Sequence, residues 1–431
     1  MRPRTALLAT YCVLLLWPFI WYRENGALYS DEIGFGRAGH AAVTHLLHGD
    51  LLGPSWTAND HGDYGWPNPM LAKYLIGASL YLTGHGGDEY FSTDQLGVPR
   101  DEQVRDGRWL NALLGWGTCL VLLAIGSRIH LGIGVVAAAL AALNDAFVYN
   151  TTLAMLEAPL LFFSLLTLLL LLRLKDRLYA AARTAAAARG AAAVAIAAGC
   201  AMSSKLLGGT AFLFALAFLA ALAATALVPV CRLPRPRLAM LALLTVLLAT
   251  PAVFVGLNPQ FYAHPFAQLR RTLSFWSERQ APGALGPGAI ATRERGFGYV
   301  TGSMFAAGGT SKKPLQPLAD GISARFPRAQ ESYNRIYVRS WVSVEAVLIF
   351  FAALSVVADR RRDGCAAPLS DQEALVGFAL FIWAAMGAWL PTLYQRYFVL
   401  PFAATPLLVA IGLDDVLVPL RRLLWRRVVN S

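Results

Sequence analysis

Two adjacent carboxylates, Asp31 and Glu32, follow the apolar N-terminal stretch by only a few residues, in the context Leu28-Tyr29-Ser30-Asp31-Glu32. Carboxylates this near a membrane carry a desolvation cost that raises their proton affinity, which suits one of them to take a proton from a hydroxyl. The competing reading is that Asp31 caps a helix beginning near Ile33. Glu157 stands alone between two apolar runs, in Leu153-Ala154-Met155-Leu156-Glu157-Ala158-Pro159. A lone acid at the end of a span points to function, and it also fits a helix start, where the dipole favours negative charge. Three cations occupy comparable places: Lys73 in an apolar stretch, Lys205 between two apolar runs, and Arg396 in Leu393-Tyr394-Gln395-Arg396-Tyr397. Each alone reads as a snorkelling anchor; the three on one face read as a phosphate-binding set. His45 and His48 share a helix face at a spacing of three, but no carboxylate accompanies them at a ligand spacing, so a metal site is not expected. None of the five cysteines lies in an expected external loop, and no zinc-type spacing occurs.

The elements that position these groups are membrane spans. Of the 431 residues, 56% are hydrophobic and 15% charged, against roughly a quarter charged in soluble chains. The mean hydropathy is +0.49. The net charge of +11 would suit nucleic acid, but Lys and Arg gather in short clusters between apolar runs, as the positive-inside rule requires, and that excludes nucleic-acid binding. The N-terminal apolar stretch ends in Trp17-Pro18-Phe19-Ile20-Trp21-Tyr22 without a small-residue cleavage site, so it reads as an uncleaved span.

Apolar runs predict an all-α polytopic membrane protein with about ten spans, at 6–22, 109–127, 131–147, 158–174, 190–204, 206–230, 238–257, 341–358, 372–391 and 397–414. The Arg-rich segments, among them Arg360–Arg362 and Arg421–Arg427, then fall in the cytoplasm with both termini. Residues 69–84 are expected to lie at the outer surface as an interfacial helix, because counting them as a span would turn those Arg clusters outward.

Within this single transmembrane domain (1–431), two large extracytoplasmic loops result, expected to bear juxtamembrane helices. The first, 23–108, holds twelve acidic and six basic residues; the second, 258–340, holds four acidic and eleven basic ones. A basic surface beside lipid headgroups suits a lipid phosphate, and the two loops equally suit pairing with each other. Within the second, Ala281–Pro314 is rich in Gly and Pro and shows neither helix nor strand periodicity, as in a lid or an unstructured segment.

The order of these features resembles the C-type (GT-C fold) membrane glycosyltransferases, particularly the protein O-mannosyltransferase and lipid A aminoarabinose transferase branch. Asp31-Glu32 after the first span looks like that family's signature. Trp66-Pro67-Asn68-Pro69-Met70-Leu71-Ala72-Lys73 looks like its His-Pro-Pro-Leu-x-Lys segment, with Asn68 interrupting the Pro pair. Arg108-Trp109-Leu110-Asn111 is similar to the start of its second span, and Met155–Phe163 to its Leu-Asp motif, with Glu157 in place of Asp. Ser203-Ser204-Lys205 and Gln395–Pro401 resemble two later landmarks.

The resemblance runs from about residue 6 to about 414. It implies a polyprenyl-phosphate sugar donor, an acceptor that is a glycan, lipid or protein hydroxyl, and inversion at the anomeric carbon, with no cofactor required. Asp31 would act as base, and Glu32 and Glu157 would orient the acceptor or sugar. Lys73, Lys205 and Arg396, with Arg270 and Arg271, would hold the leaving phosphate. The setting would be a bacterial inner or plasma membrane. Two other readings are a polyprenyl-phosphate glycan transporter or flippase and a non-catalytic subunit of a glycosylation complex. The near absence of charge inside the spans argues against the transporter.

Overall fold

The computed structural model describes residues 3–26, 30–53, 56, 65–86, 101–180, 183–225, 236–279, 347–362, 368–389 and 399–429. Regular structure among them is helical: α1 (Pro3–Leu14), α2 (Trp17–Asn25), α3 (Ser30–Leu47), α4 (Leu71–Leu82), α5 (Asp101–Gly107), α6 (Trp109–Gly126), α7 (Leu131–Leu143), α8 (Asp145–Thr152), α9 (Glu157–Tyr179), α10 (Thr184–Ser204), α11 (Gly209–Thr225), α12 (Pro236–Gly256), α13 (Pro265–Arg279), α14 (347–362), α15 (Asp371–Trp389) and α16 (Val399–Val429).

Six stretches among the described residues are long and apolar enough to cross a membrane: Thr5–Asn25, Glu102–Gly126, Glu157–Tyr179, Thr184–Ser204, Leu206–Ala224 and Pro236–Gly256. The chain is an integral membrane protein. The expected span at 131–147 is divided, because the Asn144 side chain accepts from the Phe147 amide and caps a new helix, leaving α7 at 13 residues. Helix α4, with 12 residues, is about 18 Å long and falls well short of the hydrocarbon thickness. Residues 341–346, 390–398 and most of the basic second loop, including Ala281–Pro314, lie outside the described residues.

Helix α9 sets the scale of the fold. It packs against α10 and α6, and α10 packs in turn against α12. Its apolar length separates two charged layers. At one end stands Glu157. At the other, Lys175 pairs with Asp371, and Arg128 bonds both Asp371 (2.7 Å) and Asp176 (2.6 Å). Lys175 lies 18 positions after Glu157, a rise of about 27 Å, close to the thickness of a bilayer core. Both layers are ion-paired, which is how charge persists at the margins of an apolar slab.

Helices α3 and α4 cross at the Glu157 end with almost no side chain between them. A Cβ placed on Gly77 would come within 2.2 Å of the Gly39 carbonyl oxygen, and one on Gly39 within 2.7 Å of the Lys73 carbonyl oxygen. Phe35, Ala72, Ile76 and Leu80 close the contact against the strap 153–156.

Candidate active site

The first turn of α3 carries the two adjacent acids, and they have different environments. Glu32 is 2% exposed. The Arg108 guanidinium, at the start of α6, donates from Nε to Glu32 Oε1 (2.8 Å) and from Nη2 to Oε2 (2.6 Å), while the Ala154 amide donates to Oε1 (2.8 Å). Arg108 Nη1 also donates to the Gly26 carbonyl at 2.8 Å. A fork-to-fork pair of this kind is geometrically demanding and, once buried, costly to break on one side. Asp31, one residue earlier and about 100° round the helix, is only half-buried.

The strap 153–156, which joins α8 to α9, is held from both flanks. Glu32 takes its Ala154 amide. Asn111 of α6 donates its side-chain amide to the Leu153 carbonyl and to the Met155 carbonyl (2.9 Å). Glu157 follows directly, in the first turn of α9. It is 2% exposed and accepts from Lys205 Nζ at 2.8 Å. Its second oxygen, Oε2, is buried without a hydrogen-bond partner among the described residues. The lone acid is therefore both a helix-start residue and half of an ion pair.

Lys73 is fully buried and donates to two backbone carbonyls, Gly65 (2.6 Å) and Asn68 (2.8 Å), closing the loop that precedes α4. Burial pulls its ammonium down to about 7. The same loop is anchored by Asn258, whose Oδ1 accepts from the Met70 amide (2.7 Å) and whose Nδ2 donates to Ser203 Oγ (3.0 Å) and to the Phe254 carbonyl (2.6 Å). Ser203 lies two residues before Lys205. Glu32, Glu157, Lys205 and the Lys73 loop thus belong to one buried framework at one end of the helices.

Of the two loop arginines, Arg271 lies over the Trp66 ring at 4.1 Å, and Trp66 meets Phe275 edge-on at 5.5 Å. Trp66 sits between the two carbonyls that hold Lys73, so Arg271 adjoins the Lys73 loop. Arg270 is exposed on a different side of α13. Arg396 lies outside the described residues. His45 pairs with Asp50 at 3.3 Å. Among the described residues, no three His, Cys, Asp or Glu side chains group as metal ligands.

Sequence reasoning missed the holding roles of Arg108, Asn111 and Asn258. Asn258 had a signal: a polar residue directly after an apolar run and before Pro259, where a turn is expected. Asn111 and Arg108 open an apolar helix, a place where buried polar groups need partners.

Residues 59–266 match the family model described as dolichyl-phosphate-mannose-protein mannosyltransferase. A comparison with curated protein sequences finds no match. Among solved structures, the chain is similar to ArnT from Cupriavidus metallidurans bound to undecaprenyl phosphate, with 14% identity and a TM-score of 0.50, covering 95% of this chain and 60% of that one. It is also similar to the archaeal oligosaccharyltransferase AglB from Archaeoglobus fulgidus, in complex with an inhibitory peptide and a dolichol-phosphate. There the identity is 14% and the TM-score 0.58, covering 100% of this chain and 52% of that one. The chain therefore spans between half and three-fifths of the length of these structures. The resemblance drawn from its motifs is borne out: the chain has the GT-C fold of these membrane glycosyltransferases, and its residues 59–266 match the protein mannosyltransferase model.

Proposed function

We propose that the protein is an inverting glycosyltransferase that moves a sugar from a polyprenyl-phosphate donor to an acceptor hydroxyl at the extracytoplasmic face. The observation that carries this reading is the framework joining Glu32, Glu157, Lys205 and the Lys73 loop: it assembles acids and cations from four distant stretches at one end of an apolar bundle. Asp31 takes the proton of the acceptor hydroxyl. The oxygen attacks the anomeric carbon, the bond to the phosphate breaks, and the polyprenyl phosphate leaves with the electron pair. The cations nearest the Lys73 loop, Lys73 and Arg271, stabilise that leaving charge, with Lys205, Arg270 and Arg396 as further candidates. Fixed cations in a water-poor site are worth most where charge develops. Glu157 Oε2 accepts from a hydroxyl of the sugar or acceptor.

Support comes from the matching family model and from two GT-C neighbours solved with a polyprenyl phosphate. Mannose is the first sugar to test, because the description of the matching family names it. The full chain in lipid nanodiscs would be given undecaprenyl-phosphate [14C]mannose and an extract of host envelope glycoconjugates. Label should appear in an acceptor with the anomeric configuration inverted. Donor that is bound yet neither consumed nor transferred, across a panel of polyprenyl-phosphate sugars, would overturn the proposal.

A further inference from the structure

Buried side-chain polar atoms nearly always have a partner, and the connection after α12 shows how well this chain can supply them. Asn258 makes three hydrogen bonds there. Three of its neighbours depart from that rule. Gln260, in the short turn Pro259–Phe261, is 4% exposed, and Gln268 and Thr272 of α13 are 7% and 2% exposed. Gln260 Oε1, Gln268 Nε2 and Thr272 Oγ1 are each buried without a hydrogen-bond partner among the described residues.

The three residues lie around one seam. At about 100° per residue, Gln268, Arg271, Thr272 and Phe275 share an arc of about 100° on α13. Arg271 and Phe275 of this arc meet the Trp66 ring, so Gln268 and Thr272 are on the side of the loop that holds Lys73. The turn Pro259–Phe261 packs against α13. Asn258, two residues before Gln260, bonds the Met70 amide at the other end of the same loop.

The atoms are also of mixed kinds. Gln260 Oε1 only accepts, Gln268 Nε2 only donates, and Thr272 Oγ1 does either. A phosphate diester offers acceptors alone, and an ammonium group offers donors alone. Hydroxyl groups offer both, and a sugar carries several on one ring. A site that must hydrogen-bond a hydroxyl rejects ligands without it, because its own buried polar groups then stay unpaired.

We infer that Gln260, Gln268 and Thr272 bind the hydroxyl groups of the donor sugar, beside Lys73 and Arg271. The inference rests on the transferase reading above and names the groups that recognise the sugar of the lipid-linked donor apart from its phosphate. Arg271 and the two α13 residues share one helix face, so the phosphate and the sugar joined to it are met by a single rigid element.

Thr272→Val, Gln268→Met and Gln260→Met nearly keep side-chain size and remove the hydrogen bonds. Isothermal titration of the full chain in nanodiscs compares undecaprenyl phosphate with the polyprenyl-phosphate sugar that the unmodified protein binds most tightly in the panel above. Each variant should lose about two- to ten-fold in affinity for the sugar-bearing lipid and keep its affinity for undecaprenyl phosphate. Ser274→Ala, exposed on another side of α13, should change neither. The unfolding midpoint of the ligand-free variants should hold or rise, since an apolar group replaces an unpaired polar one. Equal losses for both lipids or a lower midpoint would assign these groups to phosphate or to packing, and unchanged affinities would leave them holding water only. Each of these results overturns the inference. Failure of the transferase reading shows separately, in the unmodified protein: no sugar-bearing lipid of the panel would bind, and the inference would fall with it.

Discussion

Arg108 grips Glu32 with two nitrogens, at 2.8 and 2.6 Å, and both side chains are shut away from solvent. This pair gives the adjacent acids different surroundings. Glu32 holds Arg108 and the Ala154 amide and sets the strap before Glu157, whereas Asp31, proposed above as the base, is half-buried.

Breaking that pair should therefore be a stability lesion. Arg108→Ala leaves a buried carboxylate uncompensated, a change that typically costs about 3–5 kcal/mol. The thermal unfolding midpoint in detergent should drop clearly. Arg108→Lys should not rescue it, because an ammonium cannot supply the two-pronged contact. An unchanged midpoint in Arg108→Ala would show that Glu32 does not depend on its partner.

The Gly39–Gly77 crossing predicts a second effect. Gly77→Val pushes a side chain into the Gly39 carbonyl, and overpacking of this kind costs about 1–3 kcal/mol. Since Lys73 is one turn away on α4, undecaprenyl phosphate affinity should fall together with the midpoint. A measurement of both on one preparation checks the link.

Asn258→Leu removes the acceptor for the buried Met70 amide. An orphaned buried donor costs about 1–3 kcal/mol. The loop carrying the carbonyls that hold Lys73 loses its tie to Ser203, so donor affinity should fall although Asn258 itself is fully buried. Isothermal titration with undecaprenyl phosphate would register it.

Lys73 gives a pH dependence. Its folded-state value of about 7 lies below the ordinary 10.5, so the unfolded chain binds the extra proton between those limits. Stability from this group therefore rises as pH climbs from about 7 towards 10.5, and it is lost as pH falls through 7. On the phosphate-holding role proposed for Lys73, donor binding should have the opposite trend, because the ammonium is the form that attracts an anion. Affinity should decline as pH rises from about 6 to 8. Lys73→Arg, charged throughout, should flatten this decline. Comparing the two proteins removes the ligand's own titration from the result.

Much of the bundle was legible from hydropathy, since a run such as Leu160–Leu172 has one stable environment. The breaks were not. Asn144 divides α7 from α8 through a single side-chain cap, and α1 separates from α2 beside Leu15 and Leu16. At the site, the acids and cations were readable because charge beside apolar runs is conspicuous. What holds them was not readable, because the partners are far apart in sequence: Asn258 and Met70 are 188 residues apart, and Glu32 and Ala154 are 122 apart. The family resemblance implies an orienting role for Glu32 towards substrate; its bonds to Arg108 and Ala154 show an anchoring role that no residue pattern announced.

The most direct test of the account is Asp31→Asn, measured for transfer from a labelled polyprenyl-phosphate sugar alongside donor affinity and thermal unfolding. An amide of the same shape cannot take a proton, so turnover should fall by about 10²–10⁴-fold while the midpoint and donor affinity stay near those of the unmodified protein. Near-normal transfer by Asp31→Asn, with a folded Glu32→Gln inactive, would contradict the assignment of Asp31 as the base.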